Sequence, residues 1–512
     1  MTDPYNKRII WLIVIVSILK LITASLIELG NDEVYYWTYA IQPDWNHFDH
    51  PPMVGWMIRL TTLNLLWVNE VSVRLGSILS AAISTFFIFK TGKLIANEKV
   101  GWYAALIYNC SVYSSIIAGL FILPDSPQMA FWTGALYGMA HLFCKKDEQK
   151  LSVWLLVGFM IGLATLCKVH GLYLWVGFGL FLLIFKTKWL LNWRLYAGVG
   201  VTLVCMIPIL YWNLINNFIT YRYHAERVTH TSIQWDMLVR EVGGEVAYQN
   251  PIVFILLVIS LVSLARKKIQ TQNRWIFLWL LCMSLPMIAL FWGVSLFNPT
   301  LPHWSGPGFI PLFFIAAMYL DKRSNQLIPY IIKMAGSLLF ICMVLGVLLI
   351  QFSPINFGSH AKENYGEYCP TLDLSGWKIF SNSFASEVKK DEMNGVMKKQ
   401  APLLINKWFP GAHLEFYTSR LTGLSVIGIG PLEDIHKFAW LNKERKHLQL
   451  GDDAYCIVPS NLPTDVTSYY GSYFTSIEKS VVLNQMRSGK VVRYFTVYRL
   501  HGCKRIPNTL LP

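Results

Sequence analysis

The chain has 512 residues, 54% of them hydrophobic and only 14% charged, with a mean hydropathy of +0.40. Soluble domains carry about 25% charged residues, so a soluble globular class is excluded and the long apolar runs make this a polytopic membrane protein. The net charge of +14 does not signal nucleic acid, because the basic residues fall mainly in short loops and in the C-terminal part.

About eleven apolar runs have the length of a membrane span or somewhat less. They centre on residues 9–29, 72–92, 100–118, 127–143, 152–167, 171–185, 195–212, 251–265, 275–292, 306–320 and 328–350. The 152–185 stretch reads equally as one re-entrant pair. Residues 9–29 do not read as a cleaved signal: the run is too long, Lys20 interrupts it, and no small-residue cleavage site follows.

Alternate loops are basic: Lys7-Arg8, Lys90/Lys93/Lys99, Lys145/Lys146/Lys150, Lys186/Lys188/Arg194, Arg266-Lys267-Lys268/Arg274 and Lys322-Arg323. The positive-inside rule then puts the N-terminus in the cytoplasm. The 31–52 loop, the 119–126 turn, the 168–170 break, the 213–250 and 293–305 loops and everything after residue 351 fall on the other side. No internal repeat of the transporter kind stands out.

From Gln351 the chain changes character. Residues 424–430, 454–460 and 491–500 read as strands, and 376–392 and 404–420 as helices. The division expected is a membrane domain over 1–351 and a small extracytoplasmic α/β domain over 352–512. The basic excess of the second suits anionic headgroups or an anionic substrate, or equally a solvated surface. Its three cysteines, Cys369, Cys456 and Cys503, allow one disulfide and one spare thiol, with the pair left open.

The unusual polar residues lie in the outer loops. Asn31–Pro52 reads NDEVYYWTYAIQPDWNHFDHPP and holds Asp32, Glu33, Asp44, Asp49, His47 and His50 among Tyr35, Tyr36, Trp37, Tyr39 and Trp45. An interfacial belt explains the aromatics. It explains less well an Asp-Glu pair at a helix mouth and the later FDHPP, since carboxylates near hydrocarbon are costly and tend to mark sites. Further on, ILPDSPQ puts Asp125 at a helix start, with Pro127 in the first turn. CKVHG supplies Lys168 and His170, the 212–227 segment supplies Arg222, His224 and Arg227, and NPTLPHWSGP supplies His303. Singly, each has an ordinary reading: Asp125 as an N-cap, Lys168 snorkelling to the interface, the histidines interfacial. Together they put carboxylates and cations at several helix ends on one side of the membrane. A reaction between an anionic lipid-borne donor and a neutral nucleophile needs that combination, a base for the proton and cations for the leaving phosphate. Aromatics such as Tyr35 suit sugar stacking. Asp49 and His224 are candidate ligands for a divalent metal, although no spacing is diagnostic.

The succession DE-x-YYW, FDHPPM, PDSP, CKVHG, WN-x₂-N…YRYH and PHWSGP, over roughly residues 10–320, resembles the bacterial branch of the protein O-mannosyltransferase superfamily, which includes the lipid A 4-amino-4-deoxy-L-arabinose transferases. NKWFPGAHLEFYTSR in the tail resembles a segment of the same group, with no role carried over. The resemblance implies a GT-C fold, mainly α, with a membrane part and a soluble domain on the outer side. It implies a glycosyltransferase using a polyprenyl-phosphate-linked sugar donor and single displacement with inversion. Asp32 then corresponds to the catalytic-base position, with Glu33 its neighbour, and Asp125 to the second external acid. His50, after Asp49, corresponds to the residue facing the lipid phosphate, and here it is His where the arabinose transferases carry Lys. Lys168 matches a lysine after a short span, while Arg222, His224, Arg227 and His303 align loosely as phosphate contacts. The acceptor stays open: lipid A or another glycolipid, a glycan, or protein Ser/Thr. The rival readings are a transporter or flippase, which would carry its charges at mid-depth on broken helices, and a non-catalytic assembly subunit.

Overall fold

The computed structural model describes residues 4–145, 147–226, 232–269 and 274–507. The chain divides into two compact units, and the division does not fall at a single point. One comprises Met1–Ile22, Asp44–Trp67 and Val71–Met343, and the other Thr23–Pro43, Val68–Glu70 and Val344–Pro512.

In chain order the helices are α1 (Pro4–Leu26), α2 (Asn31–Ile41), α3 (Met53–Thr61), α4 (Glu70–Ile95), α5 (Glu98–Cys110), α6 (Asp125–Cys144), α7 (Leu151–Cys167), α8 (Tyr173–Phe185), α9 (Trp193–Ile215), α10 (Ile219–Glu226), α11 (Trp235–Tyr248), α12 (Pro251–Ala265), α13 (Arg274–Ser295), α14 (Gly306–Asp321), α15 (Tyr330–Phe352) and α16 (Trp377–Met393). Every apolar run of the sequence is helical: α1, α4–α9 and α12–α15. Five of them (α1, α4, α9, α13 and α15) hold stretches long and apolar enough to cross a membrane alone. The 31–52 and 213–250 segments, expected as loops, contain α2, α10 and α11, and α3 follows directly after the first. These helices are short and mixed in polarity, so a hydropathy reading passes over them.

The packing follows from composition. α14 is apolar all round, and nearly all of its side chains are buried, as expected of a helix at the centre of a bundle. α7 and α9 meet at glycines: a Cβ on Gly158 would lie 2.0 Å from the Gly198 carbonyl oxygen. α11 and α12 are bent by 102° because Pro251 cannot extend α11 and suits the first position of a new helix. Asn250, at φ +69°, caps α12 by accepting from Ile252 N at 3.2 Å, and its amide donates to Cys110 O at 3.0 Å and Ala335 O at 2.9 Å. After α5 comes a π-helical turn, Tyr113–Ile117, in which Ala118 N reaches back to Tyr113 O at 2.8 Å.

The second unit is built on a five-stranded sheet: β1 (Leu403–Ile405), β2 (Val426–Gly428), β3 (Ala454–Pro459), β4 (Phe474–Arg487) and β5 (Lys490–Cys503), in the order β2-β1-β3-β5-β4. β1 runs parallel to β2 and β3, and β5 antiparallel to β3 and β4. α16 lies where a helix was expected. The expected 404–420 helix is corrected at its start: Leu403–Ile405 is a buried strand, and helix begins only at Trp408. Pairing on both edges decides those three residues, which local pattern cannot. β4 was not anticipated, because its outer face is polar and exposed. Its partner is set by the turn at Ser488 (φ +44°) and Gly489 (φ +80°), a positive-φ pair suited to a tight hairpin.

Cys369, Cys456 and Cys503 are all free and buried, so the disulfide left open by the sequence is not formed. Burial pushes the Cys456 thiol up to about 12, which disfavours its oxidation. Purified protein unfolded without reductant is expected to take up alkylating agent at all nine of its cysteines, these three included, as counted by intact-mass shift. A shortfall of two would mean a disulfide.

Candidate functional site

The acidic pair Asp32-Glu33 opens α2, where negative charge favours the helix start. The two residues do different things. Glu33 is 2% exposed and its Oε2 accepts from Gly30 N at 2.9 Å, half of a capping box. Asp32, one residue earlier, is exposed. Along the rest of α2, Tyr35, Tyr36 and Trp37 are buried, and Tyr35 packs edge-on to Tyr39 with ring centres 5.3 Å apart.

His413, in the same unit, is fully buried. It stacks on Trp377 at 4.3 Å and shares a 2.8 Å hydrogen bond through Nε2 with Asn31 Oδ1. Burial, and then the charge of Arg493, hold its imidazole well below the ordinary histidine value of 6.5. The unfolded chain therefore binds this proton more readily. The stability gained by burying a neutral ring is complete above about pH 6.5 and falls as pH drops below it. Between pH 7 and 5 the melting temperature of the parent should fall more steeply than that of His413→Gln, measured side by side.

The membrane unit gathers the other polar residues. Lys168 caps α7 with its backbone extended. Its ammonium meets Asp125 Oδ2 at 3.0 Å and Oδ1 at 3.3 Å, and both residues are buried. Tyr113, from the π-helical turn, donates its hydroxyl to Asp125 Oδ1 at 3.1 Å. Gln128, one turn into α6, donates to the carbonyls of Lys168 at 2.9 Å and Ala164 at 3.2 Å, tying α6 to the break after α7. An ammonium has three N–H groups, and the two oxygens of Asp125 occupy at most two.

His170 and His303 lie close enough to Asp125 and Lys168 for their charges to be felt at one another, and the charge of His50 is felt at both of these histidines. Desolvation, then the Lys168 charge, push His303 down to about 4, so at ordinary pH it is a neutral donor and acceptor rather than a cation. His303 also stacks near Tyr248 at 6.2 Å. Its loop is held by two buried glutamates of α11. Glu245 accepts from Ser305 at 2.6 Å and Trp292 at 2.7 Å, and Glu241 accepts from Thr300 at 2.8 Å.

The 44–52 segment, which ends in FDHPP, is stitched to α9 and α10. Trp212 donates to Asp44 at 2.7 Å, Asn46 to Thr220 at 3.2 Å, and His224 Nε2 to the Asp49 carbonyl at 3.0 Å. His50 Nδ1 sits 2.9 Å from Asp49 Oδ2. His170 occupies a short turn, its ring 5.3 Å from Phe291. Arg222 is exposed on α10, and Arg227 lies outside the described residues. Among the described residues no group of three or more His, Cys, Asp or Glu could hold a metal ion. Sequence reasoning missed Tyr113, Gln128, Glu241 and Glu245. Tyr113 and Gln128 lie in or beside apolar runs, and the glutamates carry a helical i, i+4 spacing that a loop reading hides.

Residues 49–212 match the family model of dolichyl-phosphate-mannose-protein mannosyltransferases. The apolar helices and the likeness to solved structures define the class by fold: a multi-pass membrane protein with the GT-C fold. Among curated proteins, the chain is similar to the lipid A galacturonosyltransferase RgtD of Rhizobium johnstonii, with 23% identity over 316 residues, or 60% of this chain and 64% of that one. The match thus spans just under two thirds of that relative. Among solved structures, ArnT from Cupriavidus metallidurans superposes in the apo state with a TM-score of 0.60 at 14% identity, over 95% of this chain and 97% of that chain. The same protein bound to undecaprenyl phosphate gives 0.61 at 15% identity, over 98% and 99%.

Proposed function

We propose that this protein is an integral-membrane glycosyltransferase that moves a sugar from a polyprenyl-phosphate-linked donor to an acceptor outside the cytoplasm. The observation that carries the reading is the buried Asp125–Lys168 pair with Tyr113 donating into it. A buried charge pair is costly to build and is weak support for stability by itself, and one at helix ends near three histidines suits the handling of an anionic group. The likeness to ArnT bound to undecaprenyl phosphate and to a lipid A galacturonosyltransferase supports the same donor class and favours a glycolipid acceptor, with glycan and protein Ser/Thr as the other acceptor classes.

In the proposed step an acceptor hydroxyl or amine attacks the anomeric carbon as the bond from that carbon to the phosphate oxygen breaks, inverting the centre. The acceptor proton goes to Asp32, and the polyprenyl phosphate leaves as an anion. Lys168 and His50 hold the phosphate, with His303 donating as a neutral ring. The test is mass spectrometry of glycolipids and glycoproteins from cells with and without the gene. An unchanged envelope, together with no release of polyprenyl phosphate by the purified protein, would sink the reading.

The proposed setting is the inner (plasma) membrane, N-terminus in the cytoplasm and C-terminal unit outside, supported by the asymmetry of lysine and arginine among the loops. A C-terminal alkaline phosphatase fusion should be active and a C-terminal green fluorescent protein fusion dark. The reverse result would overturn this orientation.

A further inference from the structure

We propose that Trp408–Arg420 of the C-terminal unit is the cradle that sets the position of Asp32, with His413 and Tyr417 as its positioning residues. The inference rests on the reading of Asp32 as the base. It gives a task to the NKWFPGAHLEFYTSR segment, to which the sequence assigned none.

The chain approaching α2 is held at nearly every residue, within one compact unit. Glu28 N donates to Leu374 O at 3.1 Å, and the Glu28 carboxylate caps α16, accepting from Trp377 N at 2.7 Å and Lys378 N at 3.2 Å. Leu29 N donates to the Tyr417 hydroxyl at 2.7 Å, and that hydroxyl donates to Glu70 Oε1 at 3.1 Å. One proton on one oxygen therefore fixes the direction of both bonds. Asn31, next to Asp32, meets His413. Beyond Asp32, Tyr35 packs on Trp408 at 4.9 Å and Trp37 on Phe416 at 5.2 Å, with the Arg420 guanidinium 5.7 Å above Trp37.

The anchors thus bracket Asp32 on both sides. Residues 414–419 of the cradle form a π-helix, a geometry that recurs at functional sites. A base must be held in line with the proton it takes, and the backbone on either side of Asp32 sets where its carboxylate can reach. A misplacement of about 1 Å can cost about 10²-fold in rate.

The experiment uses the full-length protein in lipid, with Cys144→Ser, Cys205→Ser and Cys342→Ser removing the cysteines that are not buried. A nitroxide on Asp32→Cys reports local motion directly. Tyr417→Phe keeps the ring and deletes the hydroxyl, His413→Leu deletes the Asn31 bond, and His413→Gln keeps an N–H donor. Label mobility should rise in Tyr417→Phe and His413→Leu and return part of the way in His413→Gln. Mobility equal to the parent in both of the first two variants overturns the cradle, whatever the chemistry of Asp32.

In a second arm with Asp32 intact, turnover is scored as undecaprenyl phosphate released from pooled undecaprenyl-phosphate-linked sugars. Tyr417→Phe should lower it about 10-fold, leave undecaprenyl phosphate binding unchanged, and add nothing to Asp32→Asn. A raised label mobility with parental turnover upholds the cradle and sinks Asp32 as base, so the two failures are separable. Loss of undecaprenyl phosphate binding in step with turnover would instead mark a general structural role and overturn the positioning assignment.

Discussion

Asp32→Asn is expected to lower turnover by about 10²–10⁴-fold, the usual contribution of a positioned base, while membrane insertion and undecaprenyl phosphate binding stay at parental levels. The reason lies in how the acidic pair is used. Glu33 is buried, with a carboxylate oxygen on the backbone of its own helix start, whereas Asp32 is exposed. Asn keeps the size and can still favour the helix start, but it cannot take a proton. Glu33→Gln should act through α2 instead, lowering the melting temperature with a smaller effect on rate. The measurement is an in vitro transfer assay on purified variants, with binding determined separately. Near-parental turnover by folded Asp32→Asn would pass the base role to Asp125.

Lys168→Met has the second largest expected effect, and it falls on folding as well as on chemistry. Removing one member of a buried pair strands the other charge, at a cost of about 3–5 kcal/mol. Asp125, 2% exposed, would keep only the Tyr113 hydroxyl among these two donors. The double variant Lys168→Met/Asp125→Asn leaves no buried charge and should recover most of the lost thermal stability. It should not recover turnover, because the cation proposed to hold the leaving phosphate is still missing. Detergent-solubilised melting curves beside the transfer assay read both quantities. If the double variant regains activity along with stability, the pair is only a structural strut. Lys168→Arg should retain part of both, since a guanidinium keeps the charge with a different geometry.

Much of this protein can be read from its sequence, for identifiable reasons. Burying some twenty apolar residues in hydrocarbon is a local property, so each of the eleven runs could be located before any contact was known. The candidate site residues were legible because charge is costly near hydrocarbon: Asp125, Lys168, His50, His170 and His303 stand out against an apolar background, and all lie in one unit of the structure. The break at 168–170 could be seen, but not that Lys168 would turn back onto Asp125, 43 residues away in the chain.

The amino-acid order by itself therefore determined the class of the protein, the positions of its apolar helices and which polar residues stand out against them. Tertiary structure alone decided who pairs with whom. It split Asp32 from Glu33 by giving one a cap and leaving the other exposed. It made Leu403–Ile405 a strand by supplying partners on both edges, and it kept three cysteines apart where a disulfide was allowed. It also put Thr23–Pro43 in one unit with residues 344–512, through a histidine and a tyrosine more than 380 positions away in the chain. The physical reason is the same in each case. Hydropathy and helix starts are properties of neighbours along the chain, whereas hydrogen-bond partners, ion pairs and strand registers are chosen among groups that only folding brings within 3 Å or so of each other.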